Sequence, residues 1–124
     1  MPPDVRSAIE TGDVAALAEL LADDVEFRSP AVYRPYHGRD TVLALLAIVA
    51  GVFEDFRYVG EWRDGSTTIL MFETKVGDRE LQGVDILEHD GDGLVERFTV
   101  MIRPLSGLQA VAAAVSARLE ASSR

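Results

Sequence analysis

The sequence predicts an α+β fold in which helices pack against an antiparallel sheet. Apolar residues recur at helical spacing in four places, and between the third and fourth of these the chain contains four consecutive segments typical of strands. Asp64-Gly65, Gly77-Asp78 and Asp90-Gly91-Asp92-Gly93 separate those segments and are typical of tight turns. Since strands joined by tight turns pair with their sequence neighbours, we expect an antiparallel meander.

The length and composition are typical of one globular domain. The chain has 124 residues, 48% of them hydrophobic and 27% charged, so it can bury a sizeable core. It contains no internal repeat, low-complexity run or linker, and we therefore treat residues 1–124 as a single domain.

Charge, cysteine content and hydropathy exclude several functions. Twenty-one acidic and twelve basic residues give a net charge of -9, which repels nucleic acid and anionic membranes. The chain has no cysteine, and His37 and His89 lack the spacing of metal ligands, so we expect neither a metal nor another cofactor. The longest apolar run is shorter than the about 20 residues that cross a bilayer, and the N-terminus lacks signal features, so we expect a cytoplasmic protein.

The N-terminal half is predicted to contain two short helices, a strand, a loop and a long helix. Thr11-Gly12-Asp13 combines a helix-ending glycine with an N-capping aspartate, which separates the first two helices. Alternating apolar and charged residues indicate the strand, and two prolines indicate the loop. The predicted ranges are helices over 5–9 and 14–21, a strand over 25–29, a loop over 30–38 and a helix over 42–53.

The C-terminal half is predicted to contain four strands and a last helix. The strand segments lie near 56–62, 67–76, 79–89 and 94–103. Ser106-Gly107-Leu108-Gln109 has the form of a capping box, and the apolar helical face that follows continues to Leu119.

Both faces of the sheet are predicted to be apolar. In the third strand of the meander, Leu81, Asp85 and Leu87 share one face, while Val84 and Ile86 lie on the other. Helices can cover only one of these faces, and an exposed apolar face is typical of a subunit interface. We therefore expect a homodimer that forms through the sheet.

The order of elements and several local motifs resemble the nuclear transport factor 2-like superfamily, in particular its SnoaL-like and ketosteroid isomerase-like branch. The motifs that carry the resemblance are Thr11-Gly12-Asp13, Leu20-Leu21-Ala22-Asp23-Asp24-Val25, Pro30, Gly38 before the long helix, and Val84-Asp85 before the Asp90 turn. The resemblance implies a cone-shaped half barrel, in which a curved sheet wraps around the long helix, with further helices on one face.

The resemblance also implies a pocket for a small, largely apolar molecule. Strand parity and helix face place the pocket residues toward the interior, with two tyrosines near the rim. The interior residues are Phe27, Ser29, Val42, Leu46, Val49, Leu87, Phe98, Val100 and Ile102, and the rim residues are Tyr33 and Tyr36.

Of three catalytic groups implied by the ketosteroid isomerase pattern, one is present. The catalytic base of that pattern precedes the proline after the first strand, and this position holds Ser29. The oxyanion-hole tyrosine falls at about Val5, and the second acid falls on Asp85. The resemblance therefore speaks against steroid isomerisation by that mechanism and leaves Asp85 as the candidate catalytic residue.

Asp85 has two interpretations. A carboxylate within the apolar strand segment around Val84, Ile86 and Leu87 has a raised pKa unless donors compensate for its burial. Asp85 is then either an acid or base that moves a proton on a bound carbonyl, enol or epoxide, or an aspartate held by an amide, a tyrosine or an arginine for structural reasons.

The remaining polar and aromatic motifs favour structural roles. His37 and His89 are interpreted as surface residues, and the Asp90 turn as a plain hairpin turn in preference to a calcium loop. Arginines edge the sheet and pair with acids. The aromatic residues Phe53, Phe56, Tyr58, Trp62 and Phe72 are assigned first to the core and only secondarily to ligand stacking.

Three functions therefore remain open. The first is a cofactor-independent cyclase, isomerase or hydrolase that uses Asp85. The second is a module that binds an apolar ligand without converting it. The third is a dimerisation domain with a vestigial pocket, whose cavity would be filled by its own side chains.

Overall fold

A computed structural model describes residues 4–122, which form four helices and six strands and confirm the α+β class. In chain order the elements are α1 (Val5–Thr11), α2 (Val14–Leu20), β1 (Leu21–Arg28), β2 (Tyr36–His37), α3 (Arg39–Val52), β3 (Glu54–Asp64), β4 (Thr67–Val76), β5 (Arg79–His89), β6 (Val95–Arg103) and α4 (Leu105–Ser122).

The six strands form one open sheet in the order β2-β1-β6-β5-β4-β3. Strands β3 to β6 are the predicted antiparallel meander. Strand β1, however, pairs with β6 in parallel, so the sheet is mixed and not wholly antiparallel. Since α3 and four strands separate β1 from β6, no tight turn forces this pair to be antiparallel.

Strands β1 and β2 differ from the predicted boundaries. The residue Leu21, assigned above to the second helix, begins β1, where it is fully buried and pairs with Val95. The sheet pairing therefore outweighs the local helical pattern. The predicted loop contains the short β2, whose Tyr36 pairs with Phe27 of β1.

The helix boundaries follow their capping residues. Gly12 has a left-handed φ of 68°, and the Asp13 side chain accepts a hydrogen bond from Ala16 N at 3.1 Å, so α1 and α2 separate where predicted. At α4 the predicted capping box is wrong, because the helix begins at Leu105. Leu108 N donates to Pro104 O at 3.0 Å, which places Ser106 inside the first turn.

All four helices contribute to a core on one face of the sheet, which we call the inner face. The buried inner-face residues of the strands include Leu70, Phe72, Leu81, Leu87 and Phe98, and the helices add Val5, Ala8, Leu17, Val42 and Val111. Register shifts in the β1–β6, β3–β4 and β5–β6 ladders bend the sheet, as β-bulges do. The buried residues of the helices pack with those of the inner face, and we call the opposite side of the sheet the outer face.

Between residues 4 and 122, no helix combines the length and the hydropathy that crossing a membrane requires.

Candidate functional site

A cavity of about 220 Å³ lies between the helices and the inner face of the sheet. Residues of all four helices and of five strands form its wall, which is mostly apolar. Its charged lining residues among those described are Asp85 on β5 and the pair Glu10 and Asp13 near the turn between α1 and α2. The protein's own side chains therefore do not fill this space.

Asp85 reaches the cavity because of its parity in β5. Its cross-strand neighbours are Leu70 on β4 and Val100 on β6, and the alternating burial of β5 places Asp85 on the inner face with Leu81 and Leu87. The residue is 6% exposed. A carboxyl group at this depth needs a partner, since transfer of a charge out of water costs several kcal/mol.

That partner is Tyr58 of β3. Its hydroxyl group donates a hydrogen bond of 2.6 Å to Asp85 Oδ2, across the intervening strand β4. Tyr58 is itself buried and lines the same cavity. The Tyr58–Asp85 pair is therefore a buried polar group in a mostly apolar wall.

Burial controls the ionisation of this pair. Desolvation raises the pKa of Asp85 from 3.8 to about 7, although the hydrogen bond from Tyr58 opposes the shift. Burial, and after it the charge of Asp85, raises the pKa of Tyr58 far above its ordinary value. Tyr58 is therefore a hydrogen-bond donor at every physiological pH, and Asp85 can change its protonation state near neutrality.

The two carboxyl oxygens of Asp85 have different surroundings. Oδ2 accepts from Tyr58, whereas Oδ1 makes no hydrogen bond within residues 4–122. In the same range, no fully buried side-chain oxygen or nitrogen lacks a partner. Oδ1 therefore retains access to the cavity, where it can meet a ligand.

Three phenylalanine side chains line the wall beside this pair. The Phe56 ring lies edge-on to Tyr58 at 5.0 Å between centroids, and it also contacts Phe53 at 5.7 Å and Phe72 at 5.1 Å. Gly83 of β5 leaves room for the Phe72 ring, since a Cβ atom at this position would lie 2.4 Å from Phe72 Cζ. The cavity thus offers flat apolar surfaces next to one carboxyl group.

Residues 4–103 match the family model described as the SnoaL-like domain. The chain belongs to the SnoaL-like family. The predicted resemblance is therefore confirmed, and the family match covers every element of the structure except the C-terminal helix α4.

Solved structures agree with this family and with the fold. A steroid delta-isomerase from Pseudomonas aeruginosa is 41% identical to this SnoaL-like chain, with a TM-score of 0.89, and the match covers 93% of this chain and 85% of that one. An uncharacterised protein with a cystatin-like fold from Silicibacter pomeroyi is 35% identical, with a TM-score of 0.90 and coverages of 97% and 87%. An NTF2-like protein of unknown function from Mesorhizobium loti shares the fold at 17% identity, with a TM-score of 0.71 and coverages of 80% and 84%. No curated protein matches.

The structure brings together only some of the predicted pocket residues of this SnoaL-like domain. Seven of them line the cavity: Phe27, Leu46, Val49, Asp85, Phe98, Val100 and Ile102. Five do not: Ser29, Tyr33, Tyr36, Val42 and Leu87.

Those five residues have other surroundings. Ser29 lies beyond the end of β1, where its Oγ accepts from Ala31 N at 3.1 Å, and the Tyr33 side chain is completely exposed to solvent. Tyr36 is held at the sheet edge by its pairing in β2. Val42 and Leu87 do point inward, but they are packed within the solid core beside the cavity.

Sequence reasoning missed the role of Tyr58. Tyr58 is a core residue, as predicted, but its hydroxyl group also holds the candidate acid. A tyrosine on the apolar face of a strand needs a partner for its hydroxyl group, and this was the available signal. The signal did not reveal which partner, because Tyr58 and Asp85 are far apart in sequence and β4 lies between their strands.

The other polar motifs lie outside the cavity, as expected. His37 is exposed on β2, and His89 Nδ1 lies 3.1 Å from Ser66 O at a hairpin end. Asp90 Oδ1 accepts hydrogen bonds from the backbone N–H groups of Asp92 and Leu94, which is the structure of a plain turn. Arg97 pairs with Glu26 and Glu88 along the sheet.

Proposed function

We propose that this protein is a cofactor-independent enzyme of the isomerase type, which moves a proton on a small apolar carbonyl compound with Asp85 as its acid–base residue. The observation that carries the proposal is the asymmetry of the carboxyl group of Asp85, a residue that lines the cavity: Oδ2 is bound to Tyr58, whereas Oδ1 has no hydrogen-bond partner among the described residues and is not fully buried. The similarity to a steroid delta-isomerase, at 41% identity, supports an apolar ketone as the substrate class.

The proposed chemistry follows from which carboxyl oxygen of Asp85 already accepts a hydrogen bond. Since the hydroxyl hydrogen of Tyr58 lies on Oδ2, the proton of a neutral Asp85 resides on Oδ1 and points toward the ligand. Asp85 can donate this proton to a carbonyl oxygen while water accepts a proton from the α carbon, which gives an enol and an Asp85 carboxylate. The hydronium ion then returns a proton to the α or the γ carbon while the enol hydroxyl group returns its proton to the Asp85 carboxylate, which restores the carbonyl, water and neutral Asp85 and completes exchange or isomerisation with no change of composition.

The pKa of Asp85 suits this role, because a group of pKa about 7 is present in both forms near neutral pH. The wall supplies the rest of the binding site. The rings of Phe53, Phe56 and Phe72 match the flat faces of a fused-ring substrate, and a mostly apolar wall favours a ligand with few polar groups.

A second candidate is a module that binds the same class of ligand without converting it. The observation that favours it is Ser29, which stands at the base position of the isomerase pattern, cannot act as a carboxylate base and does not line the cavity. Both candidates require the ligand to contact Asp85.

Two assays separate these functions. Proton transfer is measured as exchange of the C2 protons of 1-tetralone in D2O by NMR, and as conversion of androst-5-ene-3,17-dione to the conjugated enone by absorbance. Binding is measured by thermal shift with both ketones. We expect conversion by the wild type and a loss of at least about tenfold in Asp85→Asn, since one acid–base group contributes on the order of a hundredfold or more.

The matched control is Asp24→Asn, which removes an exposed carboxylate of β1 outside the cavity and should leave both rates unchanged. Thermal stabilisation without conversion would select the binding module. Equal rates for Asp85→Asn and the wild type would remove Asp85 from the mechanism.

A further inference from the structure

Arg6 of α1 lies next to the Tyr58–Asp85 pair, over the ring of Tyr58. Its guanidinium carbon is 5.7 Å from the centroid of the Tyr58 ring, within the range of a cation–π interaction. Tyr58 in turn is the single hydrogen-bond partner of the Asp85 carboxyl group among the described residues. Arg6 is therefore one contact away from the candidate acid, although it does not line the cavity.

Two glutamates hold the guanidinium group in this place. Arg6 Nη1 donates to Glu61 Oε1 at 3.0 Å, and Arg6 Nε lies 3.4 Å from Glu10 Oε1. The side chains of Arg6 and Glu61 are 34% and 25% exposed, so this pair is partly shielded from solvent. The hydrogen bond to Glu61 raises the pKa of Arg6, which keeps the group charged.

A β-bulge makes this arrangement possible. In a regular strand, residues three apart lie on opposite faces. The register of β3 against β4 shifts between Tyr58 and Gly60, so that Tyr58 pairs with Phe72 and Glu61 pairs with Leu70, both of which are inner-face residues. Tyr58 and Glu61 thus both face α1, and Arg6 contacts the two of them.

We infer that Arg6 is a positioning residue that orients the Tyr58 hydroxyl group toward Asp85 and strengthens it as a donor. A cation on the ring face draws electron density from the phenol, which makes its O–H a stronger hydrogen-bond donor. A stronger donor stabilises the Asp85 carboxylate, so Arg6 sets the pH at which Asp85 changes from acid to base. This inference builds on the proposed function of Asp85, but it concerns how the ionisation of that residue is controlled.

The charged groups around the pair agree with this assignment. Strands β4 and β6 and helix α4 present apolar residues to Asp85 and Tyr58, including Leu70, Phe72, Val100 and Val111. The charged and titratable groups that face the pair from the described elements are Arg6 and Glu10 on α1, Asp13 at the α1–α2 turn, and Glu61 on β3. Arg6 is the only cation of this set, so its removal should leave only acidic groups around the pair.

The test is an NMR titration of the Asp85 carboxyl carbon in the free protein. We expect Arg6→Met, which keeps the apolar stem, to raise the titration midpoint by about half a pH unit or more, and Arg6→Lys to restore part of the shift. The matched control is Arg63→Met, because Arg63 also pairs with Glu61, at 3.0 Å, but does not contact Tyr58. This control should leave the midpoint unchanged.

A second background tests whether Arg6 acts through Tyr58. In Tyr58→Phe, Arg6→Met should shift the midpoint much less than in the wild type. An unchanged midpoint in Arg6→Met, or an equal shift in both backgrounds, would overturn the inference. Because this titration needs no substrate, absence of turnover would contradict the proposed function and leave this result standing.

Discussion

The carboxyl group of Asp85 is buried with one hydrogen bond, and its ionisation is therefore coupled to folding. The folded protein favours the neutral form, since burial raises the pKa from 3.8 to about 7, whereas the unfolded chain keeps the ordinary value. Below pH 3.8 both states hold the proton. Between pH 3.8 and about 7 only the folded state holds it, so the wild type loses stability as the pH rises through this window.

Asp85→Asn should remove this pH dependence, because the amide can still accept from Tyr58 but does not ionise. Between pH 3.8 and about 7, the unfolding free energy of the variant should rise relative to that of the wild type by up to about 1.4 kcal/mol per pH unit. Above this window the difference between the two proteins should stay constant. Urea unfolding of both proteins across the window measures the difference. If the unfolding free energies of the two proteins changed with pH in parallel, the burial assigned to the Asp85 carboxyl group would be contradicted.

At the scale of elements, the close approach of β5 to the rings of the inner face depends on a glycine. Gly83 lies between Phe72 of β4 and Ile102 of β6 in the ladders, and a Cβ atom here would lie 2.4 Å from Phe72 Cζ and 2.5 Å from Met101 O. The second contact is with backbone, which cannot move without disturbing the β5–β6 pairing. The cavity wall therefore requires a residue without a side chain at position 83.

Gly83→Ala should therefore destabilise the protein by about 1 to 3 kcal/mol, the range found for overpacked cores. It should also weaken binding of 1-tetralone, since relief of the clash moves the Phe72 ring toward the cavity that it lines. The control is Gly91→Ala, whose added Cβ would meet no atom within 4 Å and should change neither property. Urea unfolding and thermal shift give both values, and equal stability of the two variants would refute the close contact.

At the scale of the whole molecule, the feature to explain is the exposed outer face of the sheet. Two cross-strand rows of this face are mainly apolar: Gly60, Met71, Val84 and Met101 in one, and Trp62, Ile69, Ile86 and Thr99 in the other. Met101 is 56% exposed and Trp62 is 54% exposed, so the predicted assignment of Trp62 to the core is wrong. A contiguous apolar patch of this kind is typical of an interaction site.

We propose that a second copy of the chain covers this face. The adjoining row is mixed in charge, with Arg57 paired to Glu73 at 3.1 Å and with Arg103 opposite Gln82. Two copies related by a two-fold axis can therefore match positive groups with negative ones, as a symmetric interface requires.

Val84→Glu, a charge in the centre of the apolar rows, should convert a dimer to a monomer in sedimentation at micromolar concentration. Val32→Glu is the matched control, because Val32 is 45% exposed in the loop before β2 and lies outside the sheet, so its sedimentation should equal that of the wild type. A wild type that sediments only as monomer would refute the proposed dimer.

Local patterns in the sequence were sufficient for most of the fold. The α1–α2 break at Gly12-Asp13, the long helix α3 and the four hairpin-linked strands each depend on interactions between near neighbours, such as caps, turns and side-chain periodicity. Strand parity likewise placed Asp85 on the inner face, since this needs only the period of a strand. The family followed from the same succession of motifs.

What the sequence did not reveal depends on contacts between distant segments. The parallel β1–β6 pair and the start of β1 at Leu21 are set by sheet pairing, which overrides local propensity. The bulge in β3 places Tyr58 and Glu61 on one face, and no periodic pattern indicates such a shift.

The sequence by itself therefore determined most of the elements, the family and the presence of one acid on the apolar face of a strand. Only the tertiary structure decided that Tyr58 binds Oδ2 of Asp85, that Asp85 lines the cavity, and that Arg6 lies on the tyrosine ring. The physical reason is that periodicity and capping act over a few residues, whereas the surroundings of a buried carboxyl group are built by side chains from strands and helices far apart in the chain.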